Sequence, residues 1–289
     1  MSALVELVIE PRRRDIGGVE VNRILPMARR RTVGPFIFLD RIGPLQFAPG
    51  SGMEVGPHPH IGLATVTYLF AGEALHRDSI GSVQLIRPGE VNWMTAGRGI
   101  VHSERTPPEL YRRGSILSGV QIWVALPLAD EERTPAFSHH AEADLPLTIH
   151  NGTSLKLIAG SLQEKHSPTA IFSPMFLADL TMEAGSNFII ADEYQERAIL
   201  VVEGAITLAG QRYGAGPMLV LQPGAPVAIE APEAARLLLL GGAPLDQPRH
   251  IWWNFVSSSR ERIEAAKLAW NEDRMGQIPG ETGRVPLPE

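Results

Sequence analysis

The chain has 289 residues, a length that predicts about two domains, each with its own hydrophobic core. It contains no cysteine, which excludes disulfides, thiolate metal sites, iron–sulfur clusters and thiol nucleophiles. Its 26 Lys and Arg face 32 Asp and Glu, and the net charge of −6 argues against a general nucleic-acid binder.

The N-terminal residues have no basic leader before an apolar run, because the arginines of MSALVELVIEPRRRDIGG follow the apolar residues. No apolar stretch approaches the ~20 residues needed to span a bilayer. These features predict a cytoplasmic protein with no membrane partner.

Short β-branched and aromatic runs alternate with glycine and proline turns along most of the chain, a pattern typical of β-sandwiches and β-barrels. In the first half we predict strands at residues 65–70, 73–78, 83–86, 91–94, 101–104 and 119–125. A second strand-rich block covers about 155–242. The polar stretch 127–150 between them predicts a linker, so we expect one domain at 1–135 and another at 136–289.

One helix is predicted near the C-terminus. Ser257, Ser258 and Ser259 offer an N-cap, and Glu261 and Glu264 fall in the early turns. An apolar face, which we expect to pack against a barrel, is formed by Ile263, Ala266 and Trp270.

The candidate chemistry lies in two short motifs, His58-Pro59-His60 and His102-Ser103-Glu104. Residues i and i+2 of a strand project from the same face, so each motif presents two donors together. If the strands are neighbours ~4.8 Å apart, four donors converge on one ion. Three imidazoles and a carboxylate favour a divalent first-row metal, above all Fe(II), with copper, nickel, manganese and zinc left open.

The competing interpretation is that these histidines are ordinary core residues. A single His-x-His is weak evidence for a metal site, and the second motif is what favours metal binding. We expect the remaining histidines to be solvated rather than to act as ligands. His76 falls in a charged hairpin, and the others, in linker or loop composition, are His139, His140, His150, His166 and His250.

The stretch from Trp93 to Glu104, WMTAGRGIVHSE, closely resembles the pirin family, as do Thr65–Tyr68 and His76–Ser79. The resemblance covers nearly the whole chain. It implies an all-β fold of two tandem cupin barrels, each a double-stranded β-helix or jelly roll, followed by a C-terminal helix. It also implies one mononuclear metal, usually iron, in the N-terminal barrel, with the ligands His58, His60, His102 and Glu104.

The two halves also resemble each other, because Leu69–Glu73 and Val201–Ala205 both predict strand, turn, strand. Aligning Gly72 with Gly204 places Ile190 opposite His58 and Asp192 opposite His60. We therefore expect the C-terminal barrel to lack a metal site and to serve as structure or as a lid.

The pirin resemblance implies quercetin 2,3-dioxygenase activity, with a flavonol or similar enol and dioxygen as substrates. Glu104 is the expected catalytic residue, which accepts the hydroxyl proton before the ring opens and carbon monoxide leaves. We expect pocket walls or core packing at Met53, Phe70 and Trp93.

The alternative is a non-enzymatic protein whose iron redox state is recognised by a protein partner, since the mammalian pirin is a transcriptional co-regulator. Two arginine triplets, 12–14 and 29–31, offer a basic patch for such a partner, although runs of this kind usually form solvated faces. A third option, cupin-type sugar isomerisation, matches the motifs less well.

The chain departs from the common pirin pattern His-Pro-His-Arg-Gly-Phe-Glu-Thr at two positions. Ile61 replaces a basic residue and Ala64 replaces an acidic one. The second change removes an alternative carboxylate ligand, so we expect Glu104 to be the carboxylate nearest the metal and do not assume flavonol activity for this member.

Overall fold

The computed structural model describes residues 4–16 and 18–288, which form short strands joined by turns, as the sequence predicts. The elements up to residue 140 are β1 (Val5–Ile9), β2 (Arg12–Ile16), β3 (Val19–Leu25), β4 (Phe36–Phe47), β5 (Glu54–His60), β6 (Leu63–Ala71), β7 (Ala74–Asp78), β8 (Val83–Ile86), β9 (Val91–Thr95), β10 (Ile100–Arg105), α1 (Pro108–Arg113), β11 (Ser115–Ala125) and β12 (Ala136–His140).

The elements after residue 140 repeat the same mixture of longer and shorter strands and end in a helix. They are β13 (Leu147–His150), β14 (Thr153–Leu162), β15 (Lys165–His166), β16 (Met175–Met182), β17 (Asn187–Ile190), β18 (Glu196–Glu203), β19 (Ala205–Leu208), β20 (Gln211–Gly214), β21 (Met218–Leu221), β22 (Val227–Glu230), β23 (Ala235–Gly242), β24 (His250–Trp252), β25 (Phe255–Ser257) and α2 (Arg260–Asn271).

The chain divides into two compact units. We call one the histidine barrel, which comprises Arg13–Asn22, Leu39–Glu142 and Leu245–Glu289. We call the other the apolar barrel, which comprises Met1–Arg12, Arg23–Phe38 and Ala143–Pro244.

The histidine barrel is built on two sheets. A seven-stranded sheet has the order β12-β9-β6-β11-β4-β3-β2, and a four-stranded sheet has the order β5-β10-β7-β8. Strand β6 is buried along most of its length, so its near-continuous apolar sequence suits the centre of a sheet covered on both faces. The small sheet carries both histidine motifs on adjacent strands, β5 and β10.

The apolar barrel repeats this arrangement. Its large sheet has the order β1-β21-β18-β23-β16-β14-β13, with β15 paired to β14, and its small sheet has the order β17-β22-β19-β20. Alternate residues of these strands fill one continuous core that includes Leu180, Ile199, Leu219, Ile229 and Leu239. Both units therefore have the predicted double-stranded β-helix architecture.

Two glycines show that the repeat is structural. Gly72 and Gly204 both have positive φ, at 82° and 71°. A Cβ atom would lie 2.0 Å from the Ile116 carbonyl oxygen at Gly72, and 2.1 Å from the Ala234 carbonyl oxygen at Gly204. Each turn therefore requires a residue without a side chain, for the same steric reason.

The observed strands match the predicted ones closely in the first half, where residues 63–71, 74–78, 83–86, 91–95, 100–105 and 115–125 are extended. The predicted linker, however, is partly structured. Strand β12 lies within it and pairs with β9, with Phe137 opposite Met94. Its polar composition suits an edge strand, which has only one neighbour.

The predicted boundary between residues 135 and 136 gives each barrel one continuous segment, whereas the compact units interleave along the chain. The N-terminal β1 pairs with β21, and β12 pairs with β9. Strand pairing over long sequence separations causes this interleaving. As a boundary between independently folding domains, residue 135 stays a prediction.

The predicted C-terminal helix is present as α2, with Ser259 as its N-cap, whose hydroxyl accepts a hydrogen bond from the Arg262 amide. Its apolar face, Ile263, Ala266 and Trp270, is buried in a cluster with Ile61 and Phe255 of the same barrel. Within residues 4–16 and 18–288, none of the helices has the length and apolar character required to cross a membrane.

Candidate metal centre

Strands β5 and β10 bring the two predicted motifs side by side. In their antiparallel register His58 lies opposite His102, and His60 lies opposite Ile100. His58 and His60 are two residues apart on β5, so they share a face of the sheet. The short sequence spacing and the strand register together place three imidazoles on one side of the small sheet.

The three imidazoles form a close, buried group. Ring centroids are 4.3 Å apart for His58 and His102, 4.9 Å for His60 and His102, and 5.0 Å for His58 and His60. One nitrogen from each ring lies within 4.8 Å of the other two. Their exposed fractions are 7 %, 1 % and 0 % for His58, His60 and His102, so the rings are shielded from bulk solvent.

Several of the ring nitrogens are left without a protein partner. The His58 Nδ1–H donates to the Gly56 carbonyl oxygen at 2.9 Å, which leaves the lone pair on Nε2. Neither nitrogen of His60 forms a hydrogen bond of normal geometry, although the Asn254 backbone is near enough to affect its pKa, and Nε2 of His102 has no partner either. Other buried atoms also lack partners, but these nitrogens belong to neighbouring rings and could therefore share one partner that is not protein.

The electrostatics of the group favour neutral imidazoles. Burial lowers the pKa of His58 to about 4, opposed by its hydrogen bond to Gly56 and assisted by the neighbouring His76. Burial, followed by the neighbouring His58, holds the pKa of His60 and of His102 well below the usual value. The metal-free rings are therefore neutral at pH 7, each with one N–H and one lone pair, which is the form that binds a metal ion.

Glu104 lies two residues after His102 on β10, but it is not part of the group whose donor atoms lie within 4.8 Å of one another. The pairing of β10 with β5 shifts between His102 and Glu104, so Glu104 faces Val55 rather than Gly56. The Thr67 hydroxyl donates to Glu104 Oε1 at 3.1 Å. Burial raises the pKa of Glu104, opposed by His76 and by the Thr67 hydrogen bond.

Trp123 and Gln121 were not singled out from the sequence. The Trp123 ring packs against His60 edge to face at 5.2 Å, and Trp123 is 6 % exposed. Thr67 also lies 2.8 Å from Gln121, which joins Glu104 to β11 through β6. Both residues do lie on the strand predicted at 119–125.

The predicted pocket walls have other contacts. Met53 belongs to a core cluster with Val19, Val21 and Ile42. The Trp93 indole donates to the Thr95 hydroxyl at 3.2 Å. The Phe70 ring packs on Tyr68 at 5.8 Å. These contacts fit the core-packing role that the sequence left open.

The expectation that His76 is solvated is wrong. His76 is 4 % exposed, its ring stacks on Phe137 at 4.4 Å, and its Nδ1 lies 3.4 Å from Nδ1 of His102. On the other side its Nε2 lies 3.0 Å from the Asp78 carboxylate. The alternation of β7 turns His76 and Asp78 inward, whereas charge composition alone suggested an exposed hairpin.

The other histidines lie away from the group of three. His139 and His140 lie on β12, where His139 Nδ1 is 2.8 Å from Asn92 Oδ1. His150 and His166 are exposed, and His250 is half-buried on β24. Among the described residues, only His58, His60 and His102 form a cluster suited to a metal ion.

The two positions that depart from the common motif are packed in the core. Ile61 is 1 % exposed and contacts the cluster that holds α2 against the barrel. Ala64 is fully buried in β6, between Thr95 and Val124 of the neighbouring strands. A larger acidic side chain at Ala64 would have to enter this closely packed position.

The arginine triplets are partly engaged within the protein. Arg30 lies 3.3 Å from Glu6 and 3.2 Å from Glu196, and the Arg12 guanidinium donates to the Pro26 carbonyl. Arg13 lies 3.7 Å from Glu20. These carboxylates reduce the positive charge that the triplets would offer to a partner.

The chemistry of the site fits a metal ion. Three neutral imidazoles are close together, and the nitrogens of His60 together with Nε2 of His102 are buried without hydrogen bonds. Transition metals such as iron and zinc commonly bind imidazole nitrogen. His58, His60 and His102 are thus positioned to hold one ion.

Two family models match the chain. One, described as Pirin, covers residues 18–124, and the other, described as Pirin C-terminal cupin domain, covers residues 177–276. A pirin-like protein of Caulobacter vibrioides is 46 % identical over 99 % of this chain and 100 % of its own length.

Two further relatives carry enzyme names. A Pseudomonas aeruginosa protein, provisionally named quercetin 2,3-dioxygenase PA1205, is 41 % identical over 91 % of this chain and 82 % of its own length. The crystal structure of a quercetin 2,3-dioxygenase from Acinetobacter baumannii has a TM-score of 0.91 at 35 % identity, covering 98 % of this chain and 95 % of that chain.

Proposed function

Because the chain belongs to the pirin family, we propose that it is a mononuclear iron dioxygenase of the quercetin 2,3-dioxygenase type, acting on a flavonol or a related enol. One observation carries the proposal: three buried, neutral imidazoles, several of whose nitrogens lack partners, lie within 4.8 Å of one another. The similarity to the Acinetobacter baumannii enzyme supports the choice of reaction.

We assign His58, His60 and His102 as ligands, with Glu104 as the fourth donor. Glu104 shares the inward face of β10 with His102, since the two are separated by one residue. Fe(II) suits a donor set of imidazole and carboxylate without thiolate, and nickel, manganese, copper and zinc bind the same donors. Such an ion supplies Lewis acidity toward the hydroxyl oxygen of an enol substrate.

Glu104 is suited to accept the substrate's hydroxyl proton. Burial raises the pKa of its carboxyl group, which makes the carboxylate a stronger base than a solvated one. The Thr67 hydroxyl donates to Oε1, which leaves Oε2 as the oxygen that would hold the metal or, with Glu104 swung free of the metal, would take the proton. Thr67 therefore orients the carboxylate as well as partly stabilising its charge.

The surroundings of the group exclude bulk water. Trp123 packs on His60, and His102 is fully buried on β10, the strand between β5 and β7 in the small sheet. His58 is the most exposed of the three, so its side of the group is the side from which a small molecule approaches. A dry site strengthens the interaction between Glu104 and the developing enolate.

The test combines metal analysis with turnover. We expect about one metal per chain in the purified protein, aerobic bleaching of quercetin and release of carbon monoxide, all lost after chelation. Reloading stripped protein with Fe(II), Ni(II), Mn(II), Cu(II) or Zn(II) in parallel identifies the active ion. Full activity in the stripped protein, or none in the reloaded protein, overturns the proposal.

A further inference from the structure

Asp78, His76 and His102 form a continuous chain of side chains that leads to the proposed metal site. The His76 ring lies between the two others, with Nε2 3.0 Å from Asp78 Oδ2 and Nδ1 3.4 Å from His102 Nδ1. His102 Nε2, on the far side of that ring, has no hydrogen-bond partner. This series of three side chains therefore ends at His102 Nε2, the nitrogen that is available to a metal.

The Asp78 carboxylate is fixed and acts as an acceptor. Its Oδ1 accepts hydrogen bonds from the amides of Ile80 at 3.0 Å and Ser82 at 2.9 Å. Asp78 is fully buried, so its second oxygen faces His76 without competition from bulk water. A carboxylate that accepts two backbone N–H bonds is held ionised, and it accepts from the His76 Nε2–H.

The chemistry of imidazole determines which nitrogens of His76 and His102 carry the protons. A neutral imidazole has one N–H donor and one acceptor nitrogen, so His76 with a proton on Nε2 has its lone pair on Nδ1. The nitrogen facing it, His102 Nδ1, must then carry a proton and donate it. His102 consequently has its lone pair on Nε2.

The His76 ring is held in place by packing as well as by hydrogen bonds. It stacks on Phe137 at 4.4 Å with the ring planes 21° apart. It is 4 % exposed, and Asp78 lies opposite His102 in the pairing of β7 with β10. The strand register and the packing against β12 thus hold the His76 ring so that its Nδ1 faces His102.

We propose that His76 is a positioning residue that, oriented by Asp78, holds His102 in the tautomer with a proton on Nδ1 and thereby presents Nε2 to the metal. This inference rests on the proposed metal site. Residues that hydrogen-bond to a ligating histidine without binding the metal themselves commonly set its tautomer and orientation. Neither His76 nor Asp78 is assigned as a ligand.

The sharpest test is Asp78→Asn, which keeps the shape of the side chain but reverses the chain of hydrogen bonds. The amide oxygen still accepts from Ile80 and Ser82, and the new NH₂ group donates to His76 Nε2. The His76 proton then moves to Nδ1, and the His102 proton moves from Nδ1 to Nε2. Nitrogen-15 histidine NMR of the metal-free protein reads this directly.

We expect wild-type His102 to carry its proton on Nδ1, and the Asp78→Asn variant to carry it on Nε2. Zinc affinity, measured by competition with a chelator, should fall by about 10–100-fold in this variant. His76→Leu, which removes the acceptor, should lower zinc affinity by a similar factor. His139→Leu is the matched control, because His139 pairs with Asn92 and lies outside the group of three.

The outcomes of these experiments distinguish a wrong role for His76 from a wrong metal site. If Asp78→Asn leaves the His102 proton on Nδ1 and zinc affinity within about twofold of wild type, the inference is wrong although the metal site stands. The same conclusion follows if His139→Leu lowers affinity as much as His76→Leu does. Should His76→Leu fail to fold, Asp78→Asn decides alone. If wild-type protein binds no zinc and His58→Ala changes nothing, the proposed metal site itself fails.

Discussion

The two barrels share one strand order but differ in what the small sheet presents to the interior. The pair at the centre is His58 opposite His102 in the histidine barrel, and Ile190 opposite Val227 lies in the corresponding small sheet of the apolar barrel. Both apolar residues belong to the core. The same fold therefore carries a candidate metal centre in one copy and ordinary packing in the other, which places function in the side chains.

Buried polar groups are also treated differently in the two barrels. Arg197 in the apolar barrel is 1 % exposed, yet it donates to three carbonyl oxygens and lies 2.8 Å from Asp192. These contacts offset the burial of its charge, although its Nε has no partner. His60 and His102 have nitrogens without such compensation. An unpartnered buried group costs about 1–3 kcal/mol, which a bound metal would offset.

The largest effect should come from removing a ligand. We expect His58→Ala to abolish metal binding and quercetin turnover, because two imidazoles and a carboxylate would remain. Elemental analysis and the bleaching assay measure both losses. His150→Ala, at an exposed position of the apolar barrel, is the control and should match wild type. Normal metal content in His58→Ala would place the site elsewhere.

The second largest effect should come from removing the proposed base, Glu104. Glu104→Gln keeps the shape of the side chain but cannot accept the substrate proton, so we expect kcat to fall by about 10²–10⁴-fold. Thr67→Val, which removes the hydrogen bond to Glu104 Oε1, should also lower kcat, but by a smaller factor. Wild-type kcat in Glu104→Gln at full metal occupancy would exclude the assigned role.

A substitution in the core of the apolar barrel should change the stability of the protein but not its metal content or turnover. Leu239 is fully buried in its core, so Leu239→Ala should lower the free energy of unfolding by about 2–5 kcal/mol. Metal content and kcat should be unchanged below the unfolding transition. Leu147→Ala, at a position 50 % exposed, is the control, with an expected change within about 0.5 kcal/mol. Denaturant titration and the bleaching assay separate the two outcomes.

The stability of the metal-free protein should depend on pH through the buried histidine group. Folding lowers the pKa of His58 from 6.5 to about 4, so between these values the unfolded state binds the extra proton. His58 alone should lower stability by about 3 kcal/mol as pH drops through this window, and His60 and His102, whose pKa values folding also lowers, should add to the fall and extend it to lower pH. The metal-free His58→Gln variant should show a shallower fall. An equal slope in both proteins would contradict the lowered pKa.

Much of the histidine barrel was predictable, because the relevant information is local. Alternation and turn residues located β6 to β11, and the spacing of His58 with His60 needed only the two-residue repeat of a strand. The cap at Ser259 and the face of Ile263, Ala266 and Trp270 likewise lie within one helix. The ligand set followed from the spacing of the two motifs and from the family resemblance, whereas the quercetin-type reaction followed from the resemblance alone, and both remain proposals.

What the sequence by itself determined was the strand pattern, the repeat and the two histidine motifs. Only the tertiary structure decided that His76 and Asp78 face inward, that Trp123 packs on His60, and that β1 joins β21 while β12 joins β9. The physical reason is that strand pairing and burial depend on segments far apart in the chain. Local charge made His76 look exposed, whereas the register of β7 with β10 placed it beside His102.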